Sequence, residues 1–427
     1  MFRLSFCVVV LLFSINVFAM EGSGTQQEPW RIESVNDFND FADDPNYWDD
    51  FTRLETDINL AGIVYSIAVI APDTENSGYP FEGNSFSGVF DGNGCVIKNL
   101  TIQTNGDDNW FLGLFGQIDG GLIKNLGIED CNIMGDYYSW GLGGLCGWNE
   151  GGTLINCYTT GFVSSGNISD YLGGLCGYNH CGLIINCYST STLSGGDDSW
   201  TLGGLCGRND SGTIENCFAS SSVIGDYYLG GLCGEITTEG VIRNCKATGS
   251  VTGDYGLGGF CGLNSDGIIE TSCAAVEVQG GNNAGGFIGE DIDGEYIMSF
   301  WDSDINPGLD GIGNGSEPNV VGLPTVEMMK QETFVDAGWD FVGESINGPN
   351  DIWTVKEGVK YPEHVWIMVQ YVDWDGVDFL DYGFFADYYG VIDCNAANDC
   401  NSADLNYSGE VDTNDLKIFR DYWMEGL

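Results

Sequence analysis

Basic residues are what this sequence has least of. Thirteen lysines and arginines stand against 63 aspartates and glutamates, a formal net charge of −50. Such a surface repels phosphate backbones and anionic membranes, so nucleic acid is excluded as an expected ligand. Histidine is scarcer still: His180 and His364 are the only two, and they stand in unrelated contexts. No Ser-His-Asp order, P-loop or metal-hydrolase spacing appears around them. No Cys-x-x-Cys pair is present, so a zinc site is not expected. Beyond residue 19 no apolar run is long enough to span a bilayer. What is not lacking is core material: hydrophobic residues make 43% and aromatics 13%, which argues against disorder.

Residues 1–19 read as a secretory signal. Arg3 supplies the positive start, Cys7 to Phe13 the apolar centre, and Val17-Phe18-Ala19 a small-residue cleavage site. The expectation is a secreted or cell-surface protein with no membrane span. Such an acidic exterior also suits divalent cations.

The organising feature is repetition. The phrase Gly-Gly-Leu-Cys-Gly, or a near copy, begins at Gly143, Gly173, Gly203, Gly230, Gly258 and Gly285, with a worn copy from Leu112 to Gly116. Successive full copies lie 30, 30, 27, 28 and 27 residues apart. A second phrase follows at fixed distance: Asn156-Cys157, Asn186-Cys187, Asn216-Cys217, Asn244-Cys245 and Ser272-Cys273. Periods of this length imply units that bury their apolar faces only by stacking on neighbours. Within a unit, short runs punctuated by Gly, Asn and Asp read as strands, and none keeps helical periodicity for three turns. About 28 residues at roughly 3.3 Å each, with bends, make one coil of a parallel β-solenoid.

Strand alternation alone would place the Cys of the second phrase outward, beside polar Glu215 or Arg243. A left-handed bend at Asn would turn it inward, and this is the favoured reading. Two cysteine columns follow: Cys146, Cys176, Cys206, Cys233 and Cys261, then Cys157, Cys187, Cys217, Cys245 and Cys273. Stacked Cβ atoms pointing one way fit disulfide geometry poorly. Buried thiols acting as small hydrophobes are expected, with pairing across one coil left open.

These phrases resemble the Glug repeat, Gly-Gly-Leu-x-Gly-x-Asn followed by Gly-Thr-Ile-x-Asn-Cys-Tyr, over most of residues 86–300. The resemblance implies a secreted or surface protein, adhesin-like in some members, and it brings no catalytic motif.

Between repeats, rings and acids recur: Trp110, Trp140, Tyr171, Trp200, Tyr228 and Tyr255, with Asp136, Asp170, Asp226 and Asp254 ahead of them. Asp107, Asp108, Asp197 and Asp198 join the set. On a solenoid these form a stripe along one side. It would stack on sugar rings or meet a protein, with calcium bridging acids to an anionic glycan. The plainer alternative is that rings cover glycines and acids solvate turns.

The ends differ from the middle. Residues 20–85 are expected to cap the first coil, with a short helix at Val35–Ala42 and strands at Phe51–Leu54 and Thr56–Leu60. Residues 86–299 form the solenoid of about seven coils. Residues 300–368 close it, with a short helix near Thr325–Gln331 and two strands. Residues 369–427 form a separate module. Asp404, Asn406, Ser408, Glu410, Asp412 and Asp415 fit the oxygen-ligand spacing of a twelve-residue calcium loop, with Gly409 at the turn. An earlier partial copy offers Asp373, Asp375, Asp378 and Asp381 as weaker ligands. The pair resembles a type I dockerin, a small α-helical, EF-hand-like plug. That resemblance implies calcium, a cohesin-like partner domain, and partner selection by Thr413 and Asn414. The loop departs from the usual pattern at Ser408, and the first copy lacks an acid at its first position, Tyr371. Cys394 and Cys400 are spaced to close a small disulfide.

The sequence therefore reads as a mainly β, capped solenoid with a docking module, working in adhesion or carbohydrate binding. The alternative is a polysaccharide-degrading glycoside hydrolase or lyase. Catalysis requires two carboxyls at a defined separation, whereas acids here recur in every coil.

Overall fold

The computed structural model describes residues 20–74, 81–106, 110–348, 350–369, 394, 403–405 and 410–425. The expected signal segment, Asp107 and Asp108 lie outside them, as do Asp373, Asp375, Asp378 and Asp381.

One coil is traced from Trp140. Strand Trp140–Gly143 turns through Gly144 and Leu145 into Cys146–Glu150; Thr153–Ile155 follows, and Tyr158–Ser164 completes the circuit. Equivalent strands of successive coils pair in parallel and build three sheets. One has ten strands, one seven, and the third seventeen. The seven-stranded sheet stacks Phe115 on Cys146, Cys176, Cys206, Cys233, Cys261 and Ile288. The glycine phrases are thus in vertical register, in about seven turns.

Alternation decides what faces inward. In the ten-stranded sheet the column Phe90, Ile123, Leu154, Ile184, Ile214, Ile242 and Ile269 is fully buried. The next corner breaks alternation on purpose. Asn125, Asn156, Asn186, Asn216 and Asn244 all take φ of 50–53°, a left-handed conformation that Asn tolerates. The following Cys157, Cys187, Cys217 and Cys245 turn inward and are buried.

Those thiols are bonded, not merely packed. The backbone N–H of Cys157 donates to Cys187 Sγ, that of Cys187 to Cys217 Sγ, and that of Cys217 to Cys245 Sγ, each at 3.4 Å. The Cys245 N–H then donates to Ser272 Oγ at 3.1 Å, and Ser272 N–H to Ser299 Oγ at 3.4 Å. Ser272, not Cys273, therefore occupies the fifth place, because Thr271 takes the left-handed corner and Cys273 pairs beside Lys246. The column as read from sequence is corrected by one residue there. Both columns are free thiols, and burial holds Cys157, Cys187 and Cys217 well above the usual thiol pKa.

A second buried ladder uses amides. Asn149 Nδ2 donates to Gly152 O (3.1 Å) and Asn179 Oδ1 (2.8 Å); Asn179 Nδ2 donates to Gly182 O (3.1 Å) and Asn209 Oδ1 (2.7 Å). The glycines answer a demand for space. A Cβ on Gly177 would lie 2.5 Å from Gly141 C and Leu142 N.

Parallel pairing begins ahead of residue 86. Trp30–Ile32 pairs with Phe51–Leu54, which pairs with Val89–Asp91, so the cap itself supplies rungs. Its helix runs Val35–Asp43, with Ser34 Oγ accepting the Asp37 N–H, and it drives Phe38 and Phe41 into the end of the core. The expected second strand of the cap shortens to Ile58–Asn59. At the other end Val320–Leu323 still pairs with Ser299–Asp302.

The closing helix lies at Gln331–Val335 and not at Thr325–Gln331. The Glu327 and Met328 N–H groups both turn back to Pro324 O, which makes a turn. The helix begins only where Phe334 can pack on Trp339, Phe341 and Phe300. Strands Trp353–Thr354 and Glu363–His364 pair antiparallel. They press His364 onto the solenoid, its Nε2 2.7 Å from Asn244 O and its ring stacked on Trp353 at 4.1 Å.

Candidate functional site

The residues read as one stripe separate into two columns. Register places Trp110, Trp140, Asp170, Trp200, Tyr227, Tyr255 and Asn282 at one position of successive coils. The next residue of each coil, Phe111, Gly141, Tyr171, Thr201, Tyr228, Gly256 or Asn283, has φ between 54° and 71°. This left-handed corner swings its side chain away from the first column.

The distinction reassigns three residues. Tyr171 is 9% exposed and belongs to an aromatic cluster with Phe111, Trp148 and Tyr178. Its ring lies 4.7 Å from Trp140 and 5.4 Å from Tyr178, and Arg208 covers it at 5.2 Å while donating to its hydroxyl at 2.5 Å. Tyr228 is likewise a corner residue, and the ring in line with Trp200 is Tyr227. The signal for this was available as spacing: Tyr227 stands three residues ahead of Gly230, as Trp200 does ahead of Gly203.

Asp170 was grouped with the acids of the turns, yet it stands in the ring column itself, between Trp140 and Trp200. It interrupts two stacks. Trp110 and Trp140 lie 5.1 Å apart on one side; Trp200 and Tyr227 lie 4.5 Å apart, tilted 23°, on the other. The gap is an open notch of about 250 Å³ lined by Trp140, Asp170, Trp200, Tyr138, Ile168 and the serines at 139 and 169. Burial pushes the Asp170 carboxyl up to about 7, against the opposing hydrogen bond from Thr201. Trp200 is 41% exposed, the most open ring of the column.

Two of the remaining stripe acids hold backbone N–H groups. Asp136 accepts the N–H groups of Tyr137 (2.9 Å) and Gly106 (3.3 Å). Asp226 accepts the Asp198 N–H at 2.6 Å, and Asp254 is exposed. Among the described residues no group of three or more His, Cys, Asp or Glu side chains is placed to hold a metal. Asp136 and Asp226 thus bond backbone N–H groups of turns, as the plainer reading has it.

Three further features escaped sequence reasoning. Tyr158, Tyr188 and Phe218 stack almost parallel at 4.9 and 4.7 Å on another flank, where Trp366 Nε1 donates to Asn216 O at 3.0 Å. His180 Nδ1 meets Glu150 Oε2 at 2.6 Å while its Nε2 lies 3.8 Å from Sγ of exposed Cys181. A groove of about 770 Å³ near the cap gathers Arg31, Arg53 and Lys124. Each base is matched there, by Glu21, by Glu55 at 2.7 Å and by Asp91 at 2.8 Å.

Of the expected calcium loop, Asn406 and Ser408 lie outside the described residues. Asp404 and Asp415 are buried, Glu410 is exposed, and Asp412 is half-buried. Asp415 Oδ2 accepts the Asp412 N–H at 2.8 Å at the start of helix Thr413–Glu425. Thr413 and Asn414 are exposed on its first turn. Cys394 is disulfide-bonded. No helix of the described residues is long and apolar enough to cross a membrane.

Comparison with known proteins agrees with the repeat. The GLUG motif matches residues 138–164, 198–224 and 225–252. Halomucin of Haloquadratum walsbyi is 30% identical over 155 residues, 34% of this chain, and the match spans 2% of Halomucin's own length. A Bacteroides ovatus crystal structure described as a candidate immunoglobulin A1 protease covers 80% of this chain and 94% of its own, at 19% identity and a TM-score of 0.47. Nothing about activity is carried over from either protein.

Proposed function

We propose that the protein is an extracellular binding rod, working in adhesion or carbohydrate binding through its aromatic flank. A calcium-dependent, dockerin-like module would tether it to a cohesin-like partner. One observation carries the first half: a column of half-exposed rings, repeated at the coil spacing and opening at Trp200. Rings that served only to cover glycine would be expected to pack flat and closed, as Tyr171 does. An exposed ladder of Trp and Tyr offers apolar faces matching the C–H faces of sugars, with polar edges left for hydroxyls. A polysaccharide or cell-surface glycan laid on such a flank gains from several weak contacts at once.

The tether rests on the loop chemistry. Asp404 and Asp415 are buried, and Asp415 accepts the Asp412 N–H within the loop. The oxygen-only donor set fits calcium. Asp404, Asn406, Ser408, Glu410, Asp412 and Asp415 would hold the ion, which would fix the loop against its helix. Thr413 and Asn414 would then face the partner.

The test is retention of the secreted protein on immobilised polysaccharides. Wild type should be retarded by at least one neutral polysaccharide, and the Trp140→Ala, Trp200→Ala double variant should run freely with an unchanged circular dichroism spectrum. Free passage of wild type over all supports would end the glycan reading. Release of reducing ends or unsaturated sugars would replace binding by catalysis. For the tether, a chelator and Asp404→Ala should each abolish capture of a partner from the secreted fraction; capture indifferent to both would overturn it.

A further inference from the structure

We infer that the outer face of the ten-stranded sheet is a docking surface for a second copy of this chain, laid face to face with its rod reversed. The inference stands apart from the glycan-binding reading and uses neither the aromatic flank nor the calcium loop.

Each strand of this sheet from Val89–Asp91 to Ile268–Glu270 buries its middle residue and leaves the two beside it half-exposed. Register aligns those outward residues in two columns. The first runs through Val89, Leu122, Leu183, Val241 and Ile268, with Thr153 and Thr213 between them. The second opens with Arg31, Arg53, Asp91 and Lys124 and passes through Ile155 and Ile185. It continues with Glu215, Arg243 and Glu270. Four of the chain's thirteen bases stand in these columns, against Asp91, Glu215, Glu270 and, on the last strand, Glu295. The columns therefore carry no net charge on a chain of −50. A contiguous aliphatic surface without net charge suits a protein contact better than a solvated wall.

The order of the charges chooses the occupant. Take a two-fold axis in the contact plane, parallel to the strands and midway between the Ile155 and Ile185 rungs. It reverses the rod and brings each column onto its own copy. Ile155 then meets Ile185 of the second copy, Lys124 meets Glu215, Asp91 meets Arg243 and Arg53 meets Glu270. Each of these charges faces its opposite. In the other column Val89 meets Val241 and Phe51 meets Ile268, apolar on apolar. Lys124 already holds Asp91 at 2.8 Å and Arg243 holds Glu215 at 2.7 Å across adjacent rungs. Facing each other, the two pairs close into a ring of four alternating charges. Sliding one copy by a single rung destroys the match. In one direction Asp91 meets Glu215 and Arg53 meets Arg243; in the other Lys124 meets Arg243 and Asp91 meets Glu270. Parallel rods would lay the charged column on the aliphatic one, at a cost in desolvation. In the reversed arrangement Ile297, 47% exposed, reaches the groove of about 770 Å³ beside Arg31. Ten rungs of about 4.8 Å, each three residues of about 3.3 Å wide, bury on the order of 1,000 Å² over both copies, the lower range of specific interfaces.

The experiment is sedimentation equilibrium of the full secreted chain, from about 1 to about 100 µM at physiological salt. Wild type should pass from monomer to dimer across this range. Ile155→Lys, Lys124→Glu and Glu215→Lys should each weaken association about tenfold or more, although the second and third move the net charge in opposite directions. The double variant Lys124→Glu, Glu215→Lys should return to within about threefold of wild type, because the exchanged charges face each other again. All three sites are outward and half-exposed, and recovery in the double variant separates a lost contact from a lost fold. Wild type that stays monomeric at about 100 µM would overturn the inference and leave the face to another occupant. So would single variants that associate like wild type, or a double variant no better than either single one. Tighter association of Glu215→Lys would trace the effect to overall charge and overturn it as well.

Discussion

The inside and the flank of this solenoid are built on one backbone repeat and treat it in opposite ways. At inward positions the residue hardly changes, and where it does the interaction survives: Ser272 and Ser299 replace cysteine and still accept a backbone N–H. At the flank the same register holds Trp, Trp, Asp, Trp, Tyr, Tyr and Asn. The difference teaches where selection of side chains is imposed by stacking and where it is free. Each inward group must match the coil above and below, since a buried mismatch costs a hydrogen bond or opens a cavity. An outward group answers only to what it meets.

The sharpest break of that comparison is a methyl group on the inside. Gly177→Ala puts a Cβ 2.5 Å from backbone atoms of Gly141 and Leu142, which no rotamer change relieves. A loss of about 3 kcal/mol is expected, read as a lowered denaturant midpoint.

Acid should act next, through the seam where the closing segment meets the coils. Burial holds the His364 pKa down at about 3, against the partial compensation of its bond to Asn244 O. The unfolded chain therefore binds more protons than the folded one between about 3 and the ordinary value of 6.5. Stability from this group is complete above 6.5 and drains away as pH falls through that window. His364→Gln should flatten the acid limb of a melting-temperature profile; an unchanged limb would place the acid sensitivity elsewhere.

A third contrast lies within the flank. Tyr171→Ala removes a buried ring from a cluster and leaves Arg208 without its hydroxyl partner, so about 2–3 kcal/mol is expected. Trp200→Ala, at an exposed position, should stay within about 0.5 kcal/mol of wild type. Equal losses would mean that the two columns are one packed layer. A variant combining both residues would confuse unfolding with lost binding.

How legible all this was in the sequence follows the same division. The solenoid, its register and the inward turn of the cysteines were readable, because the Asn-Cys phrase states a backbone conformation as well as a composition. Cys273 misled by one place because chain distance was matched by residue name, whereas the pairing matches Thr271 to the corner. The ring stripe was legible as a stripe but not as two columns. A left-handed residue in the middle of a strand leaves no mark when its occupants are Phe, Gly, Tyr and Thr. Asp170 was visible and misplaced for that reason. The closing segment was least legible, since His364 and Trp366 find their partners 120 and 150 residues back along the chain.

A fourth test probes the chemistry of the inner column itself. Cys217 Sγ accepts the Cys187 N–H at 3.4 Å and its thiol points to the Glu215 carbonyl at 3.1 Å. Cys217→Ser should preserve both bonds, as Ser272 does two rungs along, and cost less than Cys217→Ala. The alanine variant leaves a buried N–H unpaired and should lose about 1–2 kcal/mol. The reverse order would mean that the sulfur is there for its bulk.

The smallest effect on stability, and the clearest contrast between inside and outside, concerns thiol reactivity. Among the described free cysteines only Cys181 is exposed, and the column thiols are buried. It sits on a left-handed turn residue, φ 53°, beside an imidazole that Glu150 holds from its other nitrogen. A carboxylate so placed orients the ring and sets its other nitrogen toward the thiol. A thiol reagent should therefore label Cys181 first in the folded protein, with half-buried Cys95 slower and the columns reacting only after unfolding. His180→Ala should leave that order of labelling, which exposure sets, unchanged. Rapid labelling of Cys176 or Cys217 in native conditions would show that the coils open far more readily than their bonded interior implies, and the comparison between inside and flank would lose its basis.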